Sequence, residues 1–560
     1  MLSWSTHARH FYSKLEVHSK QELLDLVEAK RAEQYEGAGT FCGIYFIFIT
    51  WIFPVRNASF AYVTAWFFSR KLTFMRPLRA SKLPIMKCVI SMGAQNAGCG
   101  EAIFEYSVSR ALFRKRMGNG HSTNGNQCAR RKKGAIMFDP GSTGFMILGA
   151  MLVFLMTPAL AFFYGGLSRR KNVLNTMFMS IAVIGFVGVL WIVAGWSFAY
   201  GGDGSCPFFG GFDQIFCVGL LDNMLGCSDL ALSHDTYPVL VDVAFQAAFA
   251  IITIAIITGS LAGRMKFGAV LAFISIWLLL VYAPLAHMVW GGDGSLIGDT
   301  IGALDFAGGD VVHISSGLTG LILCVLLGKR RGYGMMSYRP HNIPFVALGA
   351  SLLWFGWFGF NGASAFAADG VAALAFLNTM VAPAAAMISW MLVERLRSGK
   401  ATLVGACTGI VAGLVVITPA AGFVDVWAAV VMGLIVSPIC YSAMAFLKPK
   451  LGYDDALDAF GCHGIGGMVG GVLTGIFCVP DLSWTDFGGL LYTGDPTLLI
   501  AQIEGILITI VFVAVMSAII GLVVKVLFKG SLRVSVEEEA EGLDAREHGE
   551  SAYPAFNGLD

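Results

Sequence analysis

The stretch Leu304-Asp-Phe-Ala-Gly-Gly-Asp-Val-Val-His-Ile-Ser-Ser-Gly317 puts an acid, Asp305, at the mouth of an apolar run and a histidine, His313, inside it. The run continues through Leu321-Ile-Leu-Cys-Val-Leu-Leu327 and stops at Lys329-Arg-Arg331. An apolar segment of this length is what a helix needs to cross a bilayer core. Ionisable groups at that depth are costly, which makes them functional candidates. A looser version lies downstream at Asp458-Ala-Phe-Gly-Cys-His463-Gly-Ile-Gly-Gly467. Each copy has an acid, then a histidine, then a glycine four residues further on. The two histidines are expected to meet inside a membrane protein and to line a route for something small.

Composition agrees with a membrane protein. The chain is 56% hydrophobic and 13% charged, with 68 glycines in 560 residues, where a soluble chain carries about 25% charged residues. Glycine and alanine let membrane helices approach closely. Net charge is +1, which gives no footprint for a nucleic-acid partner. The twelve cysteines form no metal-binding pattern. Cys324, Cys407, Cys440, Cys462 and Cys478 fall in apolar segments and read as small buried residues. Cys206, Cys217 and Cys227 share one loop, so at most one disulfide forms among them.

Eleven spanning segments are expected, at 143–165, 173–199, 239–260, 267–288, 310–328, 343–361, 371–393, 401–418, 426–447, 461–478 and 498–527. Basic residues alternate between the connections. Arg169-Arg-Lys171, Arg264 and Lys266, Lys329-Arg-Arg331 with Arg339, Arg395 to Lys400, Lys448 and Lys450, and Lys525 to Arg533 occupy every second one. The intervening connections, including the long 200–238 loop, contain no Lys or Arg. Cytoplasmic loops carry the positive excess, so the spanning region is expected to begin outside and the tail to lie inside. Eleven divides as five, five and one. A five-helix unit repeated in tandem must be inverted in the membrane, an arrangement that places a site near the midplane. The fold class is therefore an all-α polytopic membrane protein: a 5+5 inverted repeat plus a C-terminal helix.

Residues 1–138 differ from the rest and hold 20 of the 38 Lys and Arg. Their apolar runs, 41–53 and 60–68, are short, and Pro54 and Arg56 lie between them. Residues 117–133 are polar, glycine-rich and basic, and read as disordered. The segment is expected to be an atypical basic leader, either a disordered appended segment or one lying outside the functional protein, with Met137 then a candidate start. Residues 139–528 form the transmembrane domain and 529–560 a short acidic tail.

With these features in place, the sequence resembles the ammonium transporter family (Amt/Mep/Rh), in its microbial Amt branch. The resemblance runs from about 139 to 553. It is carried by Ala161-Phe-Phe-Tyr-Gly-Gly166, Ala286-His-Met-Val-Trp-Gly-Gly292, Leu304-Asp-Phe-Ala-Gly-Gly309, Gly356-Trp-Phe-Gly-Phe-Asn361 and Phe460-Gly-Cys-His-Gly464, in that order. The tail adds Leu532-Arg-Val534, Glu541-Gly-Leu-Asp544 and His548-Gly-Glu550. The resemblance implies a plasma-membrane homotrimer with one narrow pore per subunit, conducting ammonium or ammonia and accepting methylammonium, with no cofactor and no enzymatic activity. It implies that Phe249, Trp290 and Ser364 recruit the ion, that Phe249 and Phe360 form a gate, and that His313 and His463 face the pore. It assigns Asp305 as a structural acid near the vestibule and Phe245 and Trp357 as pore lining. A regulatory protein of the PII type is the implied partner of the tail.

Other readings remain open on the residues alone. The chain could be a sensor that reports ammonium through its tail, or an Rh-like channel for ammonia or carbon dioxide. A metalloenzyme needs three or four ligands, and no third His or Cys has an evident place beside the two histidines. His287 and Glu504 lack matched partners and read as packing or interface groups. Asp454, Asp455 and Asp458 are expected to cap the tenth helix, because anions favour helix N-termini.

Overall fold

In the computed structural model, the described residues are 138–202, 204–220, 232–233, 237–335 and 338–553. The expected leader, Met137 and Cys227 lie outside them. Eleven helices among the described residues are long and apolar enough to cross a membrane: α1 Pro140–Leu167, α2 Arg170–Tyr200, α3 Val239–Leu261, α4 Phe267–Trp290, α5 Gly309–Leu327, α6 Ile343–Ala365, α7 Gly370–Ser398, α8 Leu403–Ala420, α9 Val426–Leu451, α10 Phe460–Phe477 and α11 Thr497–Leu527. Two short helices, α12 Val536–Glu541 and α13 Leu543–His548, follow in the tail. Two-residue strands Leu232–Ser233 and Tyr237–Pro238 pair before α3.

Local chemistry sets several of the boundaries. Asp139 accepts hydrogen bonds from the backbone N–H groups of Gly141 and Ser142, and Pro140 sits where a helix tolerates a missing N–H. Thr402 and Asp369 cap α8 and α7 in the same way. Helix α4 carries a widened, π-helical turn over Leu278–Tyr282 just before Pro284. Proline removes an N–H and crowds the preceding turn, and a π-bulge absorbs that misfit.

Helix α11 displays the solvent for which the chain is built. Ile503, Leu507, Val511, Val515, Ile519 and Val526 are exposed along one face. Its buried face holds Gln502, Thr509 and Ser517 among apolar residues. A helix that shows its apolar side and hides its polar side is stable only where the surroundings are lipid. Ser517 Oγ lies 2.9 Å from Thr319 Oγ1 of α5, and Trp277 Nε1 of α4 donates to both at 3.1 Å, so three helices share one buried polar contact.

Helices α5 and α10 cross antiparallel at the centre. A Cβ at Gly467 would meet the carbonyl oxygen of Gly309, while one at Gly317 would meet the backbone of Gly464. The crossing is close because glycine stands at both contacts.

The basic connections gather at one end of the bundle. Arg264 and Arg330 both pair with Asp454, at 3.1 and 2.6 Å. Lys448 pairs with Asp458 at 2.6 Å, and Lys266 N–H donates to the Leu532 carbonyl at 3.0 Å. The expectation that three aspartates cap α10 therefore needs correction. Only Asp455 does so, accepting from Phe460 N–H at 2.8 Å. Asp454 is consumed by arginines from two distant connections and Asp458 by a lysine at the end of α9, attractions stronger than that of a helix end. The five apolar-segment cysteines are buried free thiols, and Cys206 and Cys217 are also unbridged.

Candidate functional site

The site begins at Asp305, which is almost wholly buried. One carboxylate oxygen accepts from Gly308 N–H at 2.7 Å and Gly309 N–H at 2.6 Å; the other accepts from Asp310 N–H at 2.9 Å. These are the first backbone donors of α5, which have no partner within the helix. Asp305 satisfies them and fixes where α5 starts. Its backbone carbonyl also accepts from Trp290 Nε1 at 2.8 Å, so the indole edge is tied.

That indole and two phenyl rings, from three helices, form a chain of contacts. Trp290 from α4 stands at 85° to Phe249 from α3, with centroids 6.2 Å apart. Phe249 in turn stacks on Phe360 from α6, at 4.1 Å and 19°. Ser364 Oγ, one turn beyond Phe360, donates to the Phe360 carbonyl at 2.8 Å. Its hydrogen is thereby used, and its oxygen remains available to accept. Phe245 packs on Phe249 at 4.8 Å.

Below the stacked rings lie the histidines. His313 is fully buried and lies nearly parallel to Trp357 at 5.4 Å and to Phe360 at 6.1 Å. Its Nδ1 is 3.3 Å from Nδ1 of His463. Sharing one hydrogen through two Nδ1 atoms leaves one ring with an acceptor at Nε2 and the other with a donor there. Among the described residues, nothing hydrogen-bonds Nε2 of His313. Both rings border a cavity of about 10 Å³ whose other walls include Ile252, Ile256, Val312, Leu353 and Val411. That is about the space one water-sized molecule requires. Trp357 is anchored through Nε1 to Thr418 Oγ1 at 2.9 Å.

Trp290, Phe249, Phe360, His313 and His463, all singled out from the sequence, thus form one continuous column of rings. One feature escaped sequence reasoning, as did the partners of another residue. Both histidines sit in π-helical turns, Gly309–Ile314 and Phe460–Gly464, at the starts of their helices. Such turns are frequent at functional sites; the glycine pairs around each histidine were the available hint. His287 reads from the sequence as a packing or interface group, which leaves its partners unnamed: its two ring nitrogens both face backbone carbonyls.

Comparison with known proteins agrees with this geometry. The family model described as Ammonium Transporter Family matches residues 144–553. An ammonium transporter of Aquifex aeolicus (strain VF5) is 49% identical over 417 residues, covering 74% of this chain and 94% of that protein. The crystal structure of Saccharomyces cerevisiae Mep2 superposes with a TM-score of 0.67 at 33% identity, covering 75% of this chain and 93% of that one. A structure titled Sensor Amt Protein is 27% identical with a TM-score of 0.65, covering 73% and 98%. Stacked phenylalanines above paired histidines, in an eleven-helix membrane bundle whose sequence matches along nearly its whole described length, place this chain in the ammonium transporter family.

Proposed function

We propose that the chain takes up ammonium across the plasma membrane, admitting the ion at Trp290, Phe249 and Ser364 and passing ammonia beyond Phe360 along His313 and His463. The observation that carries this reading is the pair of imidazoles 3.3 Å apart in a cavity otherwise walled by apolar side chains. A bare ion there would lose several kcal/mol of hydration; neutral ammonia avoids most of that cost. The outer site suits the ion before it loses its proton. The indole of Trp290 and the ring of Phe249 attract a cation by about 2 kcal/mol when desolvated, and the Ser364 oxygen accepts one N–H. The histidine pair presents one acceptor and one donor, which suits guidance of ammonia or relay of the released proton.

The basic end of the bundle is assigned to the cytoplasm by its charge, which puts Trp290 outside. Subunits are proposed to assemble as a homotrimer with separate pores. The tail is docked, which supports a regulatory role. Asp544 accepts from Asn175 N–H at 2.8 Å, Leu543 N–H donates to Asn172 at 3.0 Å, and His548 lies against both Phe178 and Phe267. A PII-type protein reaching this face would meet a tail already joined to α2 and α4. The same docking favours a second reading, a sensor, which loses its support if deletion of residues 529–560 alters neither flux nor any ammonium-dependent response.

Expression in a host stripped of its own ammonium carriers tests the main reading. Growth at micromolar ammonium is expected; absence of growth with the protein present at the cell surface ends it.

A further inference from the structure

We propose that His287 is a positioning residue for the outer site, holding Trp290 in place by bridging two backbone carbonyls; this rests on the transport reading above. His287 lies on α4 three residues before Trp290 and is 3% exposed. Its Nδ1 is 2.8 Å from the carbonyl oxygen of Ala199, and its Nε2 is 2.9 Å from that of Cys206. Ala199 is the penultimate residue of α2, so its carbonyl has no partner within that helix. Cys206 belongs to the connection that follows. One ring therefore ties the outer end of α2, the loop beyond it and the helix that carries the indole.

The neighbouring backbone packs against the same residue. Gly291 N–H bonds the His287 carbonyl at 2.8 Å. A Cβ at Gly291 would sit 2.7 Å from His287 Nδ1, so the imidazole fills the space a side chain there would need. Leu296 N–H bonds the Pro207 carbonyl at 3.1 Å, which extends the contact beyond Trp290. The indole is thus held on both sides: by Asp305 through its own N–H, and by His287 through the turn of helix beneath it. Each carbonyl oxygen only accepts, and a neutral imidazole carries one ring N–H, so both contacts are hydrogen bonds at once only when the ring holds two hydrogens. Alanine donates to neither carbonyl. Glutamine has one amide end with which to reach one of them.

His287 touches neither the gate rings nor the pore histidines, so its loss is expected to weaken recruitment without slowing passage. Uptake of 15N-ammonium into proteoliposomes should show KM rising about tenfold in His287→Ala and by less in His287→Gln, with the maximal rate within about twofold of wild type. Unaltered KM in both folded variants overturns the proposal. So does a fall in maximal rate at constant KM, which would place the defect in the pore. If neither variant accumulates as folded protein, His287 serves the fold and the proposal is likewise lost. Wild type in the same assay keeps the two claims apart: failure of wild type to take up ammonium ends the transport reading, whereas normal uptake with unaltered variants ends only this one.

Discussion

Asp454→Ala is expected to destabilise the protein by about 3–5 kcal/mol, the usual cost of leaving one partner of a buried ion pair uncompensated. The side chains of Asp454 and Arg264 are both fully buried, and their contact is 3.1 Å. Arg330 adds two side-chain bonds to the same carboxylate, at 2.9 and 2.6 Å, and its backbone N–H a third at 2.7 Å. The carboxylate thus joins the α3–α4, α5–α6 and α9–α10 connections. Without it, Arg264 stays buried with its charge unmatched. The tail should loosen too, because Val534 N–H bonds the Arg264 carbonyl at 3.0 Å. Burial by itself would raise the Asp454 pKa, but hydrogen bonds and charge from Arg330, with Arg264 behind it, hold it below the usual carboxylate range. A depressed carboxylate pKa contributes stability that is present above the ordinary carboxylate value and is lost as pH falls through the lowered one. Thermal unfolding of purified protein checks both parts: a lower midpoint in Asp454→Ala, and a smaller loss on acidification than in wild type. A midpoint equal to wild type at neutral pH would show that the arginines do not need this acid.

Gly317→Ala is expected to abolish most transport although it leaves both histidines in the chain. The added Cβ would lie 2.3 Å from the backbone nitrogen of Gly464 and 2.7 Å from its Cα. No flexible side chain stands there to move aside, so α5 and α10 must part. Such overpacking typically costs about 1–3 kcal/mol. A functional cost is added to this, because the Nδ1 atoms of His313 and His463 are already at the long end of hydrogen-bonding distance. A shift of a few tenths of an ångström breaks the pair. Uptake per folded protein should fall about tenfold or more, equivalent to about 1.4 kcal/mol. Gly370→Ala is the matched control, since its Cβ would meet nothing within 4 Å. Wild-type uptake in Gly317→Ala would mean that the two rings need not touch.

Helix number and order were legible in the sequence because lipid demands uninterrupted apolar runs. Where the ends were misjudged, charge was the reason. Helix α7 runs on to Ser398 and α9 to Leu451, through Glu394, Arg395, Arg397, Lys448 and Lys450, residues that mark a loop by polarity alone. Long charged side chains at a helix end reach the interface without unwinding it. Glu394 is also held in place, accepting from Thr402 N–H at 2.7 Å.

The site was legible for a different reason. His313 and His463 stand out as ionisable residues in apolar runs, whereas Phe249 and Phe360 look like any core aromatic until the motifs around them are recognised. What could not be read was set by backbone detail or by distant partners. A π-helical turn shifts only a few hydrogen bonds and leaves the hydrophobic period almost unaltered. The partners of His287 are carbonyl groups, which every residue has, and the partners of Asp454 lie on two other connections.

The most direct test of the central claim, that the paired histidines line the conducting path, is the initial rate of 15N-ammonium uptake into proteoliposomes for wild type and for His313→Ala. Removing one imidazole strips the cavity of its shared hydrogen bond and leaves His463 alone among apolar walls. The expected result is a rate lower by about tenfold or more at saturating ammonium, with the variant folded and inserted as well as wild type. A folded His313→Ala variant that matches the wild-type rate would contradict the claim.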